Sequence, residues 1–89
     1  MRSDEEFARR LQRLEWDCRR GMKETEVMLS PFRVERFPAL DRAGQEAFLD
    51  LLDFSDADLF AWFTSTERPD DPALAQMVEL VLADAAARG

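Results

Sequence analysis

The side chains able to do chemistry in this sequence are arginines, carboxylates and a single thiol, because histidine is absent from all 89 residues. That absence removes the ready general base near neutral pH and any histidine-activated serine or cysteine. Cys18 lies on a predicted apolar helix stripe with Phe7, Leu11 and Leu14, where it reads as core filler. Two acidic pairs, Asp56 with Asp58 and Asp70 with Asp71, have the chemistry to divide acid and base roles. All four fall at predicted helix starts, where free amides and the macrodipole favour carboxylates, so capping explains them and no catalytic residue is assigned. Neither a G-x-x-x-x-G-K-[ST] nor a G-x-G-x-x-G phosphate cradle is present. With one cysteine and no histidine the chain lacks the soft ligand set of a zinc site, so neither a metal nor a bound cofactor is expected. What remains is the string Arg19-Arg20-Gly21-Met22-Lys23-Glu24. Gly21 allows the backbone to reverse between two helices, Arg20 suits the C-terminus of the first, and Glu24 suits the N-terminus of the second. Read on its own, this is either a pair of caps with a surface ion pair or a site.

The elements that must position this string read as helices throughout. Ser3 followed by Glu6 has capping-box spacing and opens the first, which Gly21 is placed to end. A second starts at Met22, with Met22, Thr25, Leu29 and Phe32 on one side; Pro31 either kinks it or restarts it with Ser30 as N-cap. Asp41 caps a third, whose apolar face is Ala43, Ala47, Phe48, Leu51 and Leu52. Ser55 and Asp58 repeat the capping logic for a short fourth carrying Leu59, Phe60, Trp62 and Phe63. Asp71 before Pro72 opens a fifth, along which Leu74, Met77, Val78, Val81, Leu82 and Ala85 recur at helical spacing. No segment alternates with period two, so the expected fold is all-α: one domain over residues 1–89, a compact bundle of about five short helices.

Charge narrows the partners. Twelve basic against nineteen acidic side chains give −7, which disfavours the phosphate-neutralising surface of a nucleic-acid binder. The balance is uneven: through Arg36 there are nine bases and eight acids, and beyond it three bases and eleven acids. The two ends therefore face different partners, or each other. No apolar run approaches the about 18 residues of a membrane span, and the charged N-terminus resembles neither a signal nor a transit peptide. A lone cysteine fits a reducing compartment, and a bacterial cytoplasm is the expected location. A protein that is monomeric when free is expected.

The string CRRGMKETEVMLSPF, followed at a distance by LDFSDADLFAW, resembles the small SdhE-type assembly factors of succinate dehydrogenase and fumarate reductase, whose hallmark is an RGxxE motif. Here that motif is Arg20, Gly21 and Glu24. The likeness runs along most of the chain, in the order of its helices. One departure is that Thr25 and Glu26 follow the motif, where the family often has leucine and then an acid. The resemblance implies a non-enzymatic function: binding the flavoprotein subunit of the dehydrogenase and promoting covalent attachment of FAD to a histidine of that subunit. It also places Arg20, Gly21 and Glu24 at the contact, with Arg19, Met22, Lys23 and Asp58 as weaker candidates. Trp62 reads as core, and Trp16, off the first stripe, reads either as an exposed interface aromatic or as covered by the second helix. The rival reading is a generic helical adaptor or regulator, unrelated to flavoproteins, that uses Arg9, Arg10 and Arg13 to bind an acidic surface.

Overall fold

The computed structural model describes residues 1–89 and contains helices but no strand. The first, α1 (Asp4–Gln12), starts as the sequence expects: Ser3 Oγ accepts the Glu6 amide at 3.2 Å, and the Glu6 carboxylate accepts the Ser3 amide at 3.3 Å. It does not continue to Gly21. Arg13 closes α1 with a tight bond from its amide to the Arg10 carbonyl, and a one-turn helix, α2 (Leu14–Asp17), follows with Cys18 as its C-cap. The break turns Leu14 and Cys18 into the core, whereas Leu11 is left 38% exposed and Phe7 half-buried. An unbroken helix would have kept all four on one stripe. Arg10 braces the joint by donating to Asp17 at 3.0 Å and Asp53 at 2.7 Å.

No helix restarts at Pro31 with Ser30 as its N-cap: a single helix, α3 (Lys23–Glu35), runs through the proline. Proline forfeits one amide bond in mid-helix, but Thr25, Leu29 and Phe32 are all buried on the same face, and their packing holds the helix together across it. A 3₁₀ turn over Phe37–Ala39, absent from the sequence reading, then leads into α4 (Arg42–Leu51). Asp41 caps α4 by accepting the Gly44 amide at 2.8 Å, Ser55 caps α5 (Asp56–Thr64) through the Asp58 amide, and Asp71 caps α6 (Pro72–Arg88) through the Ala73 and Leu74 amides.

The core forms where α3, α4 and α6 meet. Phe32 stacks on Phe48 at 5.3 Å between ring centroids, Phe37 closes on the same ring at 5.4 Å, and Met77, Val78 and Val81 of α6 fill the far side. Of the expected α4 face only Ala43 lies outside, and Leu49 joins the core. The all-α class holds, with six α-helices where five were expected because the first is broken.

The charge asymmetry resolves within the molecule. Arginines up to Arg36 meet acids beyond it: Arg2 meets Glu46, Asp50 and Asp53, Arg10 meets Asp53, Arg20 meets Asp56, and Arg36 meets Asp84. Glu46 is the centre of one such knot. It is 5% exposed, and it accepts from the Arg2 amide, the Arg2 guanidinium at 2.7 Å and Arg42 at 2.9 Å. Burial pushes its carboxyl upward, but the bonds from Arg2 and Arg42 outweigh that and hold it below the usual carboxylate range. Arg42 also lies over the Phe7 ring at 3.8 Å, so this knot seats α1 on α4.

Candidate functional site

The chain leaves α2 at Cys18 and enters α3 at Lys23, and its course between them is fixed by two fully buried anchors, Cys18 and Thr25. Burial pushes the Cys18 thiol up to about 12, which makes it an inert packing group, as the sequence reading supposes. Within the loop the side chains divide sharply. Arg19, Lys23 and Glu24 are exposed, as is Gly21, and Met22 is half-buried.

Arg20 turns inward, and its side chain is only 14% exposed. Its Nε donates to Asp56 Oδ1 at 2.6 Å, Nη1 to the Asp17 and Leu52 carbonyls at 3.2 and 3.1 Å, and Nη2 to the Phe54 carbonyl at 2.7 Å. The guanidinium thus sits where the closing carbonyls of α2 and α4 gather, in front of the first turn of α5, a place that favours a cation on one side and a carboxylate on the other. Its own amide is taken by Glu26 at 3.1 Å.

Asp56 completes the arrangement. Its second oxygen, Oδ2, accepts the Met22 amide at 3.1 Å, and the Thr25 hydroxyl, which donates to the Met22 carbonyl at 2.9 Å, stands 3.5 Å from Oδ1. The bond from Arg20, with those from the Met22 and Gly21 amides, holds the Asp56 carboxyl below its ordinary value.

Three expectations change here. Gly21 does not end a helix in the left-handed conformation: no glycine has positive φ, because the helix has already closed at Cys18 as that residue is drawn into the core. A Cβ on Gly21 would meet Asp56 Oδ2 at 3.4 Å, an ordinary contact. The ion-pair partner of Arg20 is Asp56, thirty-six positions away, and Glu24 is not part of the network. Asp58, picked out from the later motif, is exposed on α5, whereas Asp56, explained from sequence as a cap, engages the loop. The signal for Asp56 lay in helical spacing: it shares a face with Leu59, Phe60 and Phe63, and Leu59 is fully buried.

Trp16 is 70% exposed, while Trp62 packs edge-on against Phe54 at 5.0 Å. The arginines of the adaptor reading are engaged within the chain: Arg9 with Glu5, and Arg10 and Arg13 with Asp17. No helix is long and apolar enough to cross a membrane.

Fold and site together define a small all-helical protein whose charged loop is bonded to the starts and ends of four helices. Residues 12–85 match the model of the family described as flavinator of succinate dehydrogenase, and the chain belongs to that family. It is 44% identical over 72 residues to the FAD assembly factor SdhE of Pseudomonas aeruginosa, an alignment covering 81% of this chain and 86% of that one. Against the protein of the same name from Mannheimia succiniciproducens it is 44% identical over 70 residues, covering 79% of this chain and 81% of the other. The solution structure of a UPF0350 protein superposes with a TM-score of 0.73 at 36% identity, covering 99% of this chain and 89% of that one. The resemblance drawn from the sequence therefore holds at the level of the family.

Proposed function

We propose that this chain binds the flavoprotein subunit of succinate dehydrogenase and promotes covalent attachment of FAD to it, with Arg19, Gly21, Met22, Lys23 and Glu24 presenting the contact and Arg20 shaping it. Asp58 is exposed on α5, two residues after Asp56 and so off the face that engages the loop. The observation that supports this reading most directly is the loop itself. A string of exposed charged residues is pinned at both ends by buried side chains and underneath by Arg20, which is how a preorganised recognition surface is built. Membership of the flavinator family supplies the partner class.

The flavin and the histidine that takes it belong to the partner. A flavin bound there would supply the electrophilic carbon, and the subunit's own histidine the nucleophile. A helper need only favour the conformer that aligns the two. Binding that conformer about 100-fold better than its alternatives shifts the equilibrium by roughly 2.7 kcal/mol, within reach of one small interface. The chain therefore acts as an assembly factor and not as an enzyme. Fumarate reductase, whose flavoprotein subunit poses the same problem, is a second client of the same chemistry, and a bacterial cytoplasm is where the free, monomeric helper would meet either.

The test is in-gel flavin fluorescence of the denatured flavoprotein subunit from cells with this protein, without it, and with Glu24→Ala. Loss of the covalent signal in the last two, with the variant folded by circular dichroism, is expected. An unchanged signal in all three would overturn the assembly role.

A further inference from the structure

We infer that Asp56 is the positioning residue of the Arg20–Glu24 loop, and that Arg20 acts on the partner through Asp56 rather than by touching it. This rests on the proposed function for its partner, and on geometry for the rest. Every nitrogen of the Arg20 guanidinium donates within the chain, four of its five N–H groups going to Asp56, Asp17, Leu52 and Phe54, so the group cannot swing outward as a whole without breaking that set. Asp56 for its part is not needed as a cap, since Ser55 already accepts the Asp58 amide at 3.1 Å. Its two oxygens instead join the arginine to the backbone of the loop, Oδ1 on Arg20 and Oδ2 on the Met22 amide.

The pair therefore ties together the end of α2, the end of α4, the start of α5 and the entry to α3. Lys23 and Glu24 are the first residues of α3, so fixing Met22 fixes the direction in which both leave the surface. Without Asp56 the loop would have to be ordered at the moment of binding, and that entropy would come out of the affinity. The motif's two charged residues thus have separate tasks: Arg20 with Asp56 sets the shape, and Glu24 makes the contact.

The experiment is calorimetric titration of the full-length protein into the purified apo flavoprotein subunit of the succinate dehydrogenase from the same cells, at a temperature where every variant is folded. The variants are Arg20→Ala, Asp56→Ala, their double, Asp56→Asn, and the core variant Val78→Ala as a measure of lost stability alone. Arg20→Ala and Asp56→Ala are each expected to weaken binding at least about tenfold, with the double within about threefold of the worse single, as for residues that act as a unit. Val78→Ala should bind within about twofold of the parent. Where Asp56→Ala fails to fold, Asp56→Asn, which keeps an acceptor for the Met22 amide, carries the test with a smaller loss. Amide hydrogen exchange gives a readout that needs no partner: Met22 should exchange faster in the Asp56 variants while the amides of α4 and α6 keep their protection. An Arg20→Ala loss of equal factor with and without Asp56 would mean that Arg20 touches the partner, and would overturn the inference. So would Asp56 variants that bind as the parent does. If the parent protein itself does not bind the subunit, the proposed function fails, and unchanged exchange at Met22 would then sink the positioning role independently.

Discussion

Arg20 and Glu24 stand one helical turn apart in sequence and face opposite ways: Arg20 Nε lies 2.6 Å from Asp56 Oδ1 beneath the loop, and Glu24 is exposed in the first turn of α3. A motif that looks like one charged patch when written out is, in three dimensions, an inner brace and an exposed carboxylate.

Stability should separate the two. Arg20→Ala strands Asp56 and three carbonyls that are mostly shielded from water, a loss of about 2 kcal/mol, which in a domain of this size lowers the melting temperature by about 10 °C. Glu24→Ala removes an exposed side chain and should stay within about 0.5 kcal/mol of the parent. Urea unfolding followed by circular dichroism measures both. Equal losses would mean that Glu24 is part of the brace.

Gly21 gives a graded test. Its φ is not positive, and an added Cβ would sit 3.4 Å from Asp56 Oδ2, so Gly21→Ala should fold and should keep most of the covalent flavin signal. Gly21→Arg brings a second cation beside that oxygen, in competition with Arg20, and adds bulk to an exposed loop. It should fold, yet lose most of the signal. In-gel fluorescence together with circular dichroism reads both variants.

Much of this architecture was legible from local rules. The boxes and caps at Ser3, Asp41, Ser55 and Asp71 form as their spacing requires, because a cap is satisfied within its own turn. The break at Arg13 and the continuation through Pro31 were not settled by sequence, because packing elsewhere decides them: burying Leu14 and Cys18 in one case, Leu29 and Phe32 in the other. The site follows the same division. The motif Arg20, Gly21 and Glu24 could be picked out from the sequence, but the inward turn of Arg20 depends on carbonyls at Leu52 and Phe54 and a carboxylate at Asp56, which only the tertiary fold brings near.

Acid should loosen the protein in a defined window. The carboxyls of Glu46 and Asp56 are both held below their ordinary values in the folded chain. A depressed folded value stabilises the fold fully above the unfolded value, near about 4, and that stabilisation fades as pH falls through the lower folded value. The melting temperature should therefore be nearly level from pH 7 to about 5 and drop steeply below about 4. Glu46→Gln and Asp56→Asn should each start lower at pH 7 and show a shallower acid decline. Thermal melts by circular dichroism across pH 3–7 check the sign, and a decline already steep at pH 6 would point to other groups.

The two tryptophans should behave as different kinds of residue. Trp62 is half-buried against Phe54 at 5.0 Å, so Trp62→Ala removes part of the satellite packing around the core and should cost about 2 kcal/mol, less than a fully buried tryptophan would. Trp16 is 70% exposed, and its carbonyl accepts the Arg19 amide at 3.0 Å, which places the ring's backbone at the entry to the loop. Exposed tryptophans contribute little to folding and much to interfaces, where they bury large area at low conformational cost. Trp16→Ala should then leave stability within about 0.5 kcal/mol while weakening binding to the flavoprotein subunit at least tenfold. Acrylamide quenching of the single-tryptophan variants Trp16→Phe and Trp62→Phe gives the structural half of the test, with Trp16 the more quenchable of the two. If adding the flavoprotein subunit leaves Trp16 as accessible as before, that ring lies outside the interface, and the contact must be carried by the charged residues of the loop alone.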